Sequence, residues 1–267
     1  VFSFVAFLLA TAIDLQREEI ATRFAGDAAA QRIALALYER AGSVADVFPE
    51  QMFDGGYRGV VHLVPAVPTG SDRKHLEWVA EAYADFDTFF AGISAHHAAA
   101  RYRWHALTFR FFRSVGNTTP NALAQGWTIA YNVNGSINKS ADAVRETLFH
   151  ETFHLNDADH GDWSDSHVAA IQAAIRQKCG ARTACLAPYA PTSTLVRNGT
   201  YYAFQPGNDA HEYAAEVASR YYREQRAILR GERPVRPSFK CGPPENKQAW
   251  EALAKEFFGG VDLVPGC

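Results

Sequence analysis

The stretch His150-Glu151-Thr152-Phe153-His154 constrains this chain more than any other, because its chemistry is usable only on a helix. Residues four apart on an α-helix stand one above the other on the same face, so both imidazoles can reach a single ion. The flanking residues permit that helix. Ser140 can cap its start, Asp142 suits the positive end of the helix dipole, and Val144, Thr147, Leu148 and Phe149 continue without Gly or Pro. Thr152 and Phe153 are uncharged, which suits a helix packed inside a domain with one polar face open. The competing reading is a core-packed or solvated helix that carries two histidines by chance.

Zinc accepts neutral imidazole nitrogens, and catalytic zinc keeps three protein ligands and leaves a fourth position for water. That water becomes acidic enough to serve as a nucleophile near neutral pH, and Glu151 is placed to take its proton. The pattern points to one zinc ion per chain, held by His150 and His154, and to a hydrolytic reaction.

Three candidates compete for the third ligand. His160 has the metzincin spacing from His150, but Asp157 stands where that pattern has its turn-forming Gly, and Met52 precedes the motif, so no Met-turn follows it. Asp157, Asp159, Asp162 and Asp165 offer an aspartate soon after the second histidine; they read more readily as a solvated turn or a calcium-type oxygen site. The favoured candidate is a carboxylate on a later helix. Glu212 and Glu216 stand one turn apart, Asn208 or Asp209 can cap that helix, and Tyr213, Val217 and Tyr221 make an apolar stripe beside them. One carboxylate would bind zinc while the other steadies a histidine ligand.

The two helices together resemble the gluzincin peptidases, and in local wording the catalytic domain of the anthrax lethal factor type. That type has a downstream helix reading Asn-x-Ala-x-(aromatic)-x-Ala-Glu, close to Asn208-Asp209-Ala210-His211-Glu212-Tyr213-Ala214-Ala215-Glu216. The resemblance implies that Glu212 is the metal ligand and that Glu216 supports the site. It also implies a tyrosine seven residues before the ligand to stabilise the transition state. Gln205 occupies that position, and Tyr201 and Tyr202 nearby are the candidates to replace it. The likeness covers two short helices, not the whole chain.

With 267 residues, 48% of them hydrophobic, a single catalytic domain with an ample core is expected. A net charge of −3 provides no field to attract nucleic acid or an anionic membrane. Arg220, Arg223, Arg226, Arg230, Arg233 and Arg236 read as the solvated end of a helix and its exit, with a docking patch as the alternative. Four cysteines cluster as Cys179 with Cys185 and Cys241 with Cys267, which points to two local disulfides and an oxidising compartment, although four cysteines allow three connectivities. Residues 1–12 read either as a signal-peptide remnant ending Ala10-Thr11-Ala12 or as the first turns of a buried helix, and they are too short to span a bilayer. Sequons begin at Asn117, Asn134, Asn138 and Asn198.

Along the chain, residues 14–39 have a helical pattern with Gly26 as its weak point, and residues 57–64 read as a buried strand. Asp72 would cap a long helix whose Leu76, Val79, Tyr83, Phe86, Phe90 and Ile93 recur at helical spacing, with His96 and His97 at its exposed end. Strands are expected over 105–111 and 127–133, the second leading through Asn134-Gly135 into the zinc helix. By analogy with zincin folds, that second strand would be a sheet edge, and residues 130–132 would bond an extended peptide. The region 179–207 is loop-rich, and Trp250, Leu253 and Phe257 mark a final helix.

These readings combine into an α+β, zincin-like domain over residues 13–267, with a small mixed sheet and a disulfide-stapled C-terminal part. The expected activity is that of a secreted or periplasmic zinc metallopeptidase. Its ligands would be His150, His154 and Glu212, its general base Glu151, and its partner a peptide or protein substrate. The alternatives are a zincin-fold binding or toxin-like protein with little proteolysis, and a zinc amidase acting on a non-peptide substrate.

Overall fold

The computed structural model describes residues 15–55, 59–96, 99–196, 199–233 and 236–267; the proposed signal remnant and the sequon at Asn198 lie outside them. The chain is mixed α and β and divides into two compact units. One contains the residues up to Ala84 and Trp104–Glu151, and the other Asp85–Arg103 and Thr152–Cys267.

The first unit holds a mixed sheet formed by β1 (Val44–Val47), β2 (Gln51–Asp54), β3 (Val60–Pro65), β4 (Thr108–Ser114), β5 (Ala122–Gln125) and β6 (Thr128–Asn132). The strand order is β2-β3-β4-β6-β5, with β1 also pairing with β4. β4 runs parallel to β1 and β6, with Phe109 opposite Ala45 and Ile129, and antiparallel to β3. Its consecutive Phe111 and Phe112 point to opposite faces, as strand alternation requires. Phe112 packs with Val61, Leu63 and Ala130, while Phe111 meets Tyr131 edge-on and Phe109 meets Tyr83. β4 thus buries large apolar side chains on both of its faces.

Two expectations for this unit are corrected. The helix over 14–39 is broken: residues 15–23 are helical, a turn follows, and α1 (Ala28–Ala41) begins afresh. The cause is Asp27, whose carboxylate accepts hydrogen bonds from the N–H groups of Ala29 and Ala30 and caps the new helix. The same carboxylate accepts from Gly70 N–H and pairs with Arg73; the Gly70 and Ala30 donors and then Arg73 pull its pKa down to about 2. Nor is β6 an edge strand. β5 covers its free side through an antiparallel ladder from Gln125–Thr128 to Ala122–Tyr131, closed by Gly126 and Trp127, both at positive φ. Residues 130–132 therefore have their main-chain groups engaged, and the sheet edge is β5. Its short sequence Ala-Leu-Ala-Gln carries no alternation strong enough to read as a strand.

β6 leads into the next helix through a network of asparagine amides. Asn132 donates to Ser114 Oγ and Pro120 O, Asn134 to Ser114 O and Asn117 O, and Asn138 to Asn121 O and Asn132 O. The sequon asparagines Asn134 and Asn138 thus have their side-chain nitrogens engaged in the fold, and Asn138 is fully buried.

Helix α2 (Arg73–Ser94) contributes residues to both units. A 3₁₀ turn, Gly70–Asp72, precedes it, and Asp72 receives Arg113 at 2.5 Å. In the second unit, Phe86 and Phe89 from α2 both pack edge-on against Tyr222 of α7 (Ala210–Leu229), and Tyr221 lies against Trp250 of α8 (Pro244–Phe257) and stacks on Phe258. α2 and α7 approach closely at Gly92, where a Cβ would meet the Leu229 methyls at 2.9 Å. The run of arginines on α7 is largely structural. Arg226 and Arg230 bind Asp85, and Arg220 binds the buried Glu224, which also accepts from Ser238 Oγ and Phe239 N–H. The docking-patch alternative loses those three charges.

α3 (Ala141–Asp159), α4 (Trp163–His167), α5 (Ala169–Cys179) and α6 (Thr183–Leu186) complete the described helices named here. α5 has Ile171 and Ile175 one turn apart, a helical spacing legible in the sequence yet left unassigned there. Both expected disulfides are present, Cys179–Cys185 and Cys241–Cys267. No helix among the described residues is long and apolar enough to cross a membrane.

Candidate metal centre

α3 forms where the sequence requires it. Ser140 Oγ accepts the Ala143 N–H at 3.2 Å, and Val144, Leu148, Phe149, Phe153 and Leu155 are buried. With that side packed, His150, Glu151 and His154 remain partly exposed on the helix. Both histidines sit on this one continuous helix, a single turn apart.

α7 presents the third group. Asp209 caps it by accepting the His211 N–H at 3.0 Å, and Tyr213, Val217 and Tyr221 are fully buried. That burial fixes the rotation of α7 about its axis, and Glu212 lies with its Oε2 3.7 Å from His154 Nε2. One donor atom each from His150, His154 and Glu212 lie within 4.8 Å of one another. Two imidazoles and a carboxylate around a tetrahedral zinc at bond lengths near 2.0–2.2 Å would stand roughly 3.3–3.5 Å apart. The His154–Glu212 separation is close to that edge, so the donor set fits a metal ion of this kind with small side-chain adjustment.

His160, the rival ligand, is directed elsewhere. Its Nδ1 lies 2.8 Å from Glu256 Oε1 and its ring packs on Phe257, so it is not in the converging group. Glu216, one turn beyond Glu212, is buried and accepts a hydrogen bond from the Thr192 hydroxyl. Tyr201 pairs with Leu195 in an isolated bridge, and Tyr202 opens a 3₁₀ turn, Tyr202–Phe204, before α7. Gln205, in the position implied for the tyrosine, donates to Asn208 Oδ1 at 3.3 Å.

The aspartates after His154 divide. Asp159 is exposed, as a solvated turn implies, and Asp162 starts α4 in a left-handed conformation at φ 53°. Asp157 departs from that reading, being fully buried. It accepts from Ser164 N–H at 2.8 Å and from Ser164 Oγ at 2.6 Å, and lies 2.6 Å from His211 Nδ1. Burial pulls the His211 pKa down, but the hydrogen bond and charge of Asp157, with Asp209 and Asp165 adding, more than offset it and raise it overall. Sequence reasoning missed this group, though a signal existed: Asp157 follows His154 by three positions and so shares its helix face.

The approach to α7 is also held from α5. Gln172 donates to Ala203 O and Asp209 O, both at 2.9 Å, and Arg176 donates to Gln205 O and Asn208 O. Two of these carbonyls, those of Gln205 and Asp209, also accept the N–H groups of Asn208 and Tyr213, so the side chains of α5 reinforce the helix entrance. Compared with known proteins, the chain matches no family model, no curated protein and no solved structure.

Proposed function

We propose that the chain is a zinc-dependent metallopeptidase of the gluzincin kind, with a zincin-like fold. The observation that carries this reading is the convergence of His150, His154 and Glu212, with Glu151 beside the first histidine on the same helix. His150 and His154 would hold the ion through imidazole nitrogens and Glu212 through a carboxylate oxygen, leaving a fourth position for a small ligand. Zinc, when bound, supplies Lewis-acid chemistry, acidifying a water and polarising the substrate carbonyl.

The remaining work falls to side chains. Glu151 takes the proton of the attacking water and delivers it to the leaving nitrogen as the peptide bond breaks. Tyr202 or Tyr201 donates its hydroxyl proton in a hydrogen bond to the oxyanion. Glu216 supports the site from the next turn of α7. The two disulfides favour a secreted or periplasmic setting, because such bonds persist in oxidising compartments.

Elemental mass spectrometry on the purified chain, joined to a peptide-library cleavage assay, tests the proposal. The expected result is one zinc per chain and cleavage that stops on chelation and returns with added zinc. A chain that carries zinc but cleaves no peptide would favour the binding-protein or amidase alternatives; a chain without zinc would remove the metal from the account.

A further inference from the structure

The contact between Asp157 and His211 joins two short levers. On α3, Asp157 lies three residues beyond His154, one of the converging donors; on α7, His211 directly precedes Glu212, another. The Asp157 carboxylate is fully buried, and its rotamer is fixed by Ser164, which donates both its N–H at 2.8 Å and its hydroxyl at 2.6 Å. The oxygen that takes the Ser164 hydroxyl also lies 2.6 Å from His211 Nδ1, and Ser164 Oγ itself is 2.8 Å from that nitrogen. A buried carboxylate with three partners in place is costly to move, so it serves as a fixed point for whatever it holds.

We propose that Asp157 and His211 are positioning residues for the third metal ligand: their contact clasps the first turn of α7 to the end of α3 and so sets the Glu212 carboxylate opposite His154. The inference rests on the metal reading above and adds to it the device that places Glu212. The contacts from Gln172 and Arg176 tie the approach to α7 onto α5, a different helix, whereas the clasp acts on its register against α3. With those contacts in place, removing the His211 side chain should leave α7 folded. Groups that orient metal ligands from outside the coordination shell typically cost about 10–100-fold in metal affinity when lost.

The test compares the native chain with His211→Ala, His211→Asn and Glu212→Gln. Zinc dissociation constants come from competition with a chromophoric chelator, and thermal midpoints are taken on the metal-free proteins. Asn can present an amide N–H where the His Nδ1 stands, so it restores the clasp without an imidazole. The expected result is that His211→Ala weakens zinc binding about 10–100-fold, that His211→Asn recovers most of the loss, and that the metal-free midpoints of the two stay close. If His211→Ala binds zinc within twofold of the native chain while Glu212→Gln binds poorly, the clasp is wrong and the metal site stands. Failure of His211→Asn to restore affinity also overturns the clasp. If the native chain binds no zinc, or Glu212→Gln binds as tightly as the native chain, the metal reading itself fails.

Discussion

His154 Nε2 stands 3.7 Å from Glu212 Oε2, although the two residues belong to different helices separated by three shorter ones. Two partly exposed groups held this near each other, with His150 one turn away, could together hold a metal ion.

Substitutions at the two glutamates should separate binding from chemistry. Glu212→Gln replaces a charged ligand by a neutral amide and should lower zinc affinity by about tenfold or more. Glu151→Gln should keep one zinc per chain and lower turnover by about 10²–10⁴, the usual contribution of a general base. Zinc content and steady-state cleavage rates measured on the same preparations check both. Equal zinc loss in the two variants would instead place Glu151 among the ligands.

A buried histidine should make the first unit sensitive to acid. His75 is packed beside Tyr131, with its Nδ1 2.9 Å from the phenol oxygen, and burial pulls its pKa down to about 4, with Lys74, Lys139 and Arg113 adding and Asp72 opposing. The folded value lies below the unfolded one, so between pH 6.5 and 4 the unfolded chain binds more protons. This contribution is whole above pH 6.5 and is lost as the pH falls towards 4, amounting to about 2 kcal/mol once solvent screening is allowed for. Urea midpoints across this range should fall less steeply for His75→Gln than for the native chain. Parallel slopes would remove His75 as the source.

The two disulfides should differ in worth. Cys241–Cys267 closes a loop of 26 residues and Cys179–Cys185 one of 6. Loop-closure entropy gives about 3.5 kcal/mol for the first and about 2 kcal/mol for the second. Replacing both members of each pair by Ser, and comparing denaturant midpoints, should show the larger loss at Cys241–Cys267. The reverse order would mean that the unfolded chain is not the main seat of their effect.

Gly135 should resist any side chain. A Cβ there would meet Asn138 Nδ2 at 2.7 Å, Asn121 Oδ1 at 2.9 Å and the Asn132 carbonyl at 3.2 Å. These amides are held by hydrogen bonds that connect β6 to the start of α3, including Ile137 N–H and Ser136 Oγ donating to Asn121 Oδ1. Gly135→Ala should therefore destabilise by about 1–3 kcal/mol, the usual cost of overpacking. Thermal unfolding checks this, and an unchanged midpoint would show that the asparagine network yields freely.

Much of the candidate site was legible because its determinants are local. The four-residue spacing of His150 and His154, the Ser140 cap and the unbroken run after it specify a helix with both imidazoles on one face, and the structure has that helix. The Asp209 cap and the Tyr213, Val217 and Tyr221 stripe likewise placed α7, with Glu212 turned away from the packed side. The cysteine pairing followed from sequence proximity.

What the sequence by itself determined, then, is the helix that carries His150 and His154, the capped helix that carries Glu212 and the two local disulfides, all set by helical period, capping and short chain separation. Only the tertiary structure decided among distant partners. It joined His160 to Glu256, buried Asp157 against Ser164 and His211, and brought Glu212 to His154. β5, which takes the edge away from the strand that leads to α3, is a near neighbour of β6 and was missed for another reason, the weak alternation of its four residues. For the distant partners the physical reason is range: periodicity records which face of an element is apolar, whereas the partner of a carboxylate or of a strand depends on how elements far apart in the chain pack, and a single side chain's pattern carries no record of that.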